Sequence, residues 1–219
     1  MKRHNSFGKT EMWYVVKASP EAKLYSGFSK QSGPEDYVKR IEEGTIMDIM
    51  QEYKVEPGNV FFLPAGRVHA IGAGCFVAEI QQTSNITYRI YDYDRRDANG
   101  NPRELHTELA KDAIDYTLHD TYRTDYTPEV NKPTHLVKCQ YFETNLLDIN
   151  EPISRDWAGL DSFVIYIVME GKLSLIDNNG YKLDLHQGQS VLVPAECTSV
   201  RLEPKGACKV METYIPELG

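Results

Sequence analysis

Four residues of this chain carry chemically active side chains, two cations, a carboxylate and an imidazole: Lys9, Arg89, Glu11 and His69. A tight Pro64-Ala65-Gly66 turn delivers His69 onto a following strand. A second strand carries Glu79, Gln81 and Ser84 at mostly alternate positions, and a third carries Arg89, Tyr91 and Tyr93. Side chains alternate faces along a strand, so i, i+2 and i+4 share one face. Polar groups repeated on one face of successive strands line a wet cavity, because a dry core would leave them unpaired. A solvated outer face is the rival reading, and the turn-positioned histidine beside these strands favours the cavity.

Taken singly, each residue keeps an ordinary alternative. A lone histidine is a core or surface residue as readily as a metal ligand, and no second histidine stands near His69. Glu11 lies beside Met12-Trp13-Tyr14 in an otherwise apolar or aromatic strand. A carboxylate there either faces outward or is held inside by a cation or a metal. Lys9 shares its face, which permits a plain ion pair. Arg89 also reads as an exposed strand residue, and Asp92, Asp94, Arg95 and Arg96 read as a charged turn. His106, His119, His135 and His186 show no ligand spacing and are expected to be structural.

The elements that must position these groups are mostly strands. Met12–Lys17 and Ala22–Phe28 read as strands, and Glu35–Glu43 as a helix capped by Ser32 or Asp36. Ile46–Glu52 reads as a second short helix. Val60–Leu63, Cys75–Gln82 and Thr87–Asp92 read as strands, and Thr107–Tyr116 as a helix capped by Thr107. Residues 121–133 are polar, contain two prolines and read as a linker. Beyond them the expected strands are Leu136–Leu147, Phe163–Met169, Lys172–Ile176, Tyr181–Leu185, Ser190–Val193, Ser199–Leu202 and Lys209–Tyr214. Asn178-Asn179-Gly180 is a hairpin signal.

Composition narrows the function classes. The 219 residues are 41% hydrophobic and 26% charged, with a net charge of −8, which suits one large domain or two small ones. No basic stripe marks a nucleic-acid partner. No apolar run is long enough to span a membrane, and the first residues lack the apolar core of a signal peptide. Cys75, Cys139, Cys197 and Cys208 stand apart and suggest neither a disulfide framework nor a zinc knuckle. Cys75 and Cys139 are expected to be buried small hydrophobes. A reducing cytoplasm is the expected compartment.

The two halves echo each other. Pro57-Gly58-Asn59-Val60-Phe61-Phe62-Leu63-Pro64-Ala65 is matched by Gln187-Gly188-Gln189-Ser190-Val191-Leu192-Val193-Pro194-Ala195. This Gly-to-Pro-Ala pattern resembles the cupin superfamily, whose unit is a small jelly-roll barrel. The expected architecture is an all-β double cupin with small helical insertions. Residues 1–120 form the first unit with the site. Residues 134–219 form a structural second unit, with Glu196-Cys197-Thr198 after its turn and no metal ligand.

Three segments resemble a narrower family, the bacterial class I mannose-6-phosphate isomerases. They are Gly8-Lys9-Thr10-Glu11-Met12-Trp13-Tyr14, then Pro64 to Gly72, then Glu79-Ile80-Gln81-Gln82 leading into Ile86-Thr87-Tyr88-Arg89-Ile90-Tyr91-Asp92-Tyr93. Arg103-Glu104-Leu105-His106-Thr107 is also similar to that family, whereas the second half is similar in architecture only. The resemblance implies Glu11 and His69 as metal ligands, Lys9 as a lysine associated with the sugar phosphate, and Arg89 as a substrate-facing catalytic arginine. Glu79, Gln81, Ser84 and Tyr91 would line the cavity, with Glu79, Gln81 and Tyr91 as substrate-binding candidates beside Lys9.

The family takes two further ligands from a Gln-Val-His-Pro motif upstream of the Gly-Lys-Thr-Glu segment. This chain starts too late to contain it, so the resemblance implies an N-terminally truncated member. Two ligands alone would hold zinc weakly, since catalytic zinc normally takes three protein ligands. His4 is a poor substitute because it sits near a terminus. The implied activity is zinc-dependent interconversion of mannose 6-phosphate and fructose 6-phosphate. The rival functions are a non-catalytic cupin that binds a sugar or sugar phosphate and, less well supported, a cupin oxygenase, whose site needs several close histidines. Sheet edges exposed by the missing strands would favour a homodimer.

Overall fold

The computed structural model describes residues 4–93 and 95–217. They divide into two compact units, one ending at Arg123 and the other beginning at Thr124. The chain is all-β with small helical insertions. The first unit holds β1 (Glu11–Ala18), β2 (Lys23–Phe28), α1 (Pro34–Glu42), a 3-10 turn (Ile46–Ile49), β3 (Met50–Lys54), β4 (Val60–Leu63), β5 (His69–Ile71), β6 (Cys75–Gln81) and α2 (Thr107–Lys111). The two-residue β7 (Arg123–Thr124) spans the division.

Two antiparallel sheets, in the orders β6-β1-β4 and β3-β2-β5, build this unit. Trp13, Val15, Leu24, Phe61 and Leu63 fill the space between them. In β1, Glu11 stands opposite Leu63 on one side and Gln81 on the other, and Trp13 stands opposite Phe61 and Glu79. Directly opposed residues share a face, so the acidic residues of β1 and β6 lie on the same face as the aromatic core. A smaller core of Phe28, Tyr37, Ile46, Ile49, Val68 and Ala110 seats both helices.

Several local expectations are corrected. Residues 50–54 pair with β2 as a strand, so the helix expected over Ile46–Glu52 is a single 3-10 turn. Sheet pairing outweighs the helical spacing there. The helix from Thr107 ends at Lys111, because Asp115 N–H donates to the Gly66 carbonyl at 2.9 Å instead of continuing the helical ladder. Neither expected helix cap forms: Ser32 Oγ donates to Asp36 2.9 Å away, and the cap positions are Gly33 and His106. Residues 87–92 are not a strand. Arg89 instead donates its N–H to His106 Nδ1 at 2.9 Å, and its carbonyl accepts the His106 N–H at 2.8 Å. These bonds take up the groups that a neighbouring strand would have engaged.

The β2 bulge explains one glycine. Gly27 has φ +74°, donates its N–H to the Val68 carbonyl at 2.8 Å, and lies where an added methyl would overlap the Tyr122 ring. Tyr122 is buried even though it falls in the stretch expected to be a linker. Gly27→Ala is expected to lower stability by about 1–3 kcal/mol, from overpacking and an unfavourable φ. Urea unfolding checks this, and an unchanged midpoint would refute it.

The second unit contains β8 (Pro133–Lys138), β9 (Glu143–Ile149), β10 (Ile153–Asp156), β11 (Val164–Glu170), β12 (Lys172–Asp177), β13 (Lys182–His186), β14 (Ser190–Val193), β15 (Ser199–Pro204) and β16 (Cys208–Tyr214). Its sheets run β14-β11-β16-β9-β8 and β10-β15-β12-β13. The core between them includes Leu147, Val164, Tyr166, Leu173, Val200 and Leu202. The single strand expected over Leu136–Leu147 is two strands, separated by a turn in which Cys139 N–H donates to the Phe142 carbonyl at 2.9 Å. The turn at Asn178-Asn179-Gly180 is fastened by Asp177, whose Oδ1 accepts the N–H of Asn179 at 2.9 Å and of Tyr181 at 2.8 Å. Cys75 and Cys139 are only partly buried, and Cys208 is the buried cysteine.

The internal echo extends to the hydrogen bonds. Gly58 N–H donates to the Val15 carbonyl at 2.8 Å, and Gly188 N–H to the Val168 carbonyl at 2.9 Å. Both glycines have positive φ, +92° and +85°. The strands they meet, β1 and β11, bulge at matching places, between Val15 and Lys17 and between Val168 and Glu170. In each unit an aromatic donor also stands opposite a glutamate. Trp13 Nε1 donates to Glu79 at 2.9 Å, and Tyr166 OH donates to Glu212 at 3.0 Å.

Candidate active site

Glu11 is fully buried, although it opens β1 at the end of a strand. Its Oε2 lies 2.8 Å from the Lys9 ammonium and its Oε1 lies 2.9 Å from His69 Nε2. Lys9 also donates to Glu79 Oε1 at 2.9 Å, and Trp13 Nε1 holds the other Glu79 oxygen. Lys9 thus bridges two carboxylates presented by β1 and β6. Burial is the strongest single influence on the Lys9 ammonium and works against it, but the contacts with Glu11 and Glu79 outweigh it and hold the lysine above its ordinary pKa. Burial likewise pushes hardest on Glu11, upward, yet His69 and Lys9 together hold this carboxyl below the usual range.

The Pro64-Ala65-Gly66 turn sets His69. Arg67 N–H closes the turn onto the Pro64 carbonyl at 3.0 Å. Gly66 has φ +96°, and a side chain there would meet the Ala113 carbonyl at 2.7 Å. His69 then stands at the start of β5 with its ring edge-on to Trp13, centroids 5.1 Å apart. Its Nδ1 lies 2.7 Å from the Arg67 carbonyl. A carbonyl only accepts, so Nδ1 donates there, and Nε2 is the ring nitrogen that faces Glu11. Neither Glu11 oxygen has a partner in good hydrogen-bond geometry. With one ring nitrogen on a backbone carbonyl and the other aimed at a buried carboxylate, the two side chains could share a cation between them. Glu11 and His69 therefore fit as two ligands of a cation. Among the described residues, no three His, Cys, Asp or Glu side chains gather to hold one.

A cavity of about 660 Å³ opens over this pair. Lys9, Glu11, His69, Arg89, Tyr91 and Tyr93 line it. Arg89 is fixed through Nη1 to the Glu104 carbonyl at 3.0 Å, which gives the Arg103–Thr107 segment its place beside the site. Glu79 and Gln81 do not line the cavity: Glu79 is engaged by Lys9 and Trp13, and Gln81 is exposed. Ser84 is buried away from it, donating to the Phe7 carbonyl at 2.8 Å and accepting the Ile86 N–H at 3.2 Å. The sequence reading passed over Tyr88 and Arg67, both of which line the cavity. Tyr88 OH lies 2.7 Å from His4 Nε2. Arg67 was within the recognised turn motif, but only the histidine of that motif has an obvious chemical role.

Comparison with known proteins places the fold and the family. The model of the mannose-6-phosphate isomerase cupin domain matches residues 132–215. That match overturns the expectation that the second half is similar in architecture only. The probable mannose-6-phosphate isomerase GmuF of Bacillus subtilis is 31% identical over 217 residues, which are 98% of this chain and 67% of that protein. The chain belongs to the mannose-6-phosphate isomerase family. A further member, the mannose-6-phosphate isomerase ManA of Bacillus subtilis, is 31% identical over 94% of the chain and 65% of its own length. The crystal structure of the mannose 6-phosphate isomerase from Bacillus subtilis superposes with a TM-score of 0.83 at 31% identity, covering 94% of this chain and 65% of that one. The chain thus spans about two thirds of the length of these relatives, and it has the double-cupin fold of the family.

Proposed function

We propose that this chain carries the active-site half of a mannose-6-phosphate isomerase that interconverts mannose 6-phosphate and fructose 6-phosphate. The observation that carries the reading is the buried Glu11 carboxylate, 2.9 Å from His69 Nε2, in a cavity lined by Lys9 and Arg89. Glu11 and His69 would supply two ligands of a zinc ion, with the rest of its sphere outside the described residues. When bound, that ion would offset the negative charge of the enediolate through which an aldose and a ketose interconvert. Lys9 places an ammonium where a sugar oxygen or phosphate would reach it. Arg89 keeps its charge at any working pH and serves as an electrostatic partner of the anionic substrate, not as a base. The second unit is proposed as a structural barrel. The scattered, unpaired cysteines favour a reducing cytoplasm, and no described helix is long and apolar enough to cross a membrane.

A second reading, a cupin that binds a sugar phosphate without turning it over, is favoured by the absence of a third ligand among the described residues. One experiment separates the two. The purified chain is given mannose 6-phosphate with added zinc, fructose 6-phosphate formation is followed by a coupled assay, and binding is followed by calorimetry. Zinc-dependent turnover that a chelator abolishes supports the isomerase. Binding without turnover supports the second reading, and neither binding nor turnover refutes both.

A further inference from the structure

We infer that Tyr91 and Tyr93 form an aromatic wall that takes the C–H face of a hexose in the cavity over Glu11 and His69. The inference deepens the proposed function, since the sugar phosphate rests on that reading. The cavity, about 660 Å³, has the size of a small-molecule site. Lys9 and Arg89 are cations suited to the anionic part of such a ligand. The carbon side of the sugar then needs an apolar partner. A pyranose chair turns a patch of C–H bonds outward on one face, and the negative face of an aromatic ring complements it. Tyr91 and Tyr93 both line the cavity, yet remain 38% and 45% exposed.

The segment that carries the two rings is fastened from both ends of Asp92, the residue between them. The Asp92 side chain is only 10% exposed. Its carboxylate accepts from Arg103 Nε at 2.7 Å and from Nη2 of the same guanidinium, and its carbonyl accepts the Arg95 N–H at 3.0 Å. The tyrosine rings meet edge to face, with centroids 4.8 Å apart and planes at 67°, so they act as one corner. The Arg95 guanidinium lies over the Tyr93 ring, 5.6 Å from its centroid. Tyr93 has φ +53°, in the left-handed region that bulky side chains rarely enter. The other non-glycine residues with positive φ among those described are Asn5 and Asn131, and asparagine tolerates that region. Tyr93 gains no deep burial from this costly backbone, since its side chain stays exposed at the cavity. Strained backbone of this kind recurs at ligand clamps, where the surroundings hold it in place.

The test compares two probes by calorimetry, mannose 6-phosphate and inorganic phosphate, of which only the first carries a sugar. Tyr91→Leu removes one ring. Tyr93→Asn removes the other with a residue that accepts the same φ, so the turn is kept. Each is expected to weaken mannose 6-phosphate binding by about 5–20-fold, the order of effect of losing one stacking ring, and to leave the phosphate affinity unchanged. Tyr91→Phe and Tyr93→Phe keep the rings and should keep the parent affinity. Mannose 6-phosphate bound as tightly by Tyr91→Leu and Tyr93→Asn as by the parent overturns the inference. So does an equal loss for both probes, which would mark a disturbed cavity, or an equal loss in the phenylalanine variants, which would move the contact to the hydroxyls. A parent chain that binds mannose 6-phosphate no better than phosphate overturns it as well. Turnover is read separately. A chain that holds the sugar through these rings without converting it keeps the wall and loses the isomerase reading.

Discussion

Replacing Arg155 by leucine is expected to destabilise the second unit by about 3–5 kcal/mol, because it strands a buried carboxylate. Glu212, on β16, is fully buried and receives four donors. Arg155 Nε and Nη2 reach its two oxygens at 2.9 and 3.0 Å, Asn145 donates at 3.1 Å, and Tyr166 donates at 3.0 Å. Asn145, Glu212 and Tyr166 stand opposite one another on β9, β16 and β11. Arg155 arrives from β10 in the other sheet and lies over the Trp157 ring, 4.8 Å from its centroid. Without the guanidinium, two neutral donors must hold a full charge out of water, which costs far more than losing an exposed pair. Removing both partners, as Arg155→Leu with Glu212→Leu, should cost less than Arg155→Leu alone. Urea unfolding followed by Trp157 fluorescence measures all three. A loss below about 1 kcal/mol for the single variant would mean that Glu212 is not the isolated charge its burial implies.

The second large effect concerns the site. His69→Ala is expected to abolish divalent-metal binding and with it any isomerase turnover. Glu11 would then be the one remaining ligand of the pair, and Lys9 already lies 2.8 Å from it. A single carboxylate shared with an ammonium offers a cation little. The loss of affinity should exceed the roughly 100-fold that follows removal of an outer-shell partner. Glu11→Gln should behave alike, because it removes the charge while keeping the shape of the side chain. Calorimetric titration with Zn²⁺ or Co²⁺ on each variant gives the answer. Binding by His69→Ala as tight as by the parent chain would place the metal elsewhere.

The strands were legible where short apolar runs end in turn residues, as at Val60–Leu63 before Pro64-Ala65-Gly66 and at Ser190–Val193 before Pro194-Ala195. Such runs pair locally and carry their own punctuation. Thr87–Asp92 has the composition of a strand, rich in tyrosine and isoleucine, but a strand needs a partner, and sequence does not say that His106 will supply the bonds instead. Glu11 and His69 could be picked out by residue type, and Lys9 by its spacing from Glu11. Arg67 could not, because the groups that surround it, Asp115, His119 and Tyr122, lie some fifty residues away. Glu212 was legible in principle: it is a single acid in the apolar run Val210-Met211-Glu212-Thr213-Tyr214, the same signal that marked Glu11.

The recurrence of the aromatic–glutamate brace has an evolutionary consequence. Register aligns Glu11 with Val164, while Trp13 and Glu79 answer to Tyr166 and Glu212, and counting from the shared Pro-Ala turn puts Ser199 where the first unit has His69. Scaffold and chemistry are thus written at separate positions of one duplicated unit. The brace is present in both units, whereas Val164 and Ser199 stand in the second unit where the first has the Glu11–His69 pair. A lineage built this way could lose the Glu11–His69 pair by change at two codons while the brace that supports its folding stays in place.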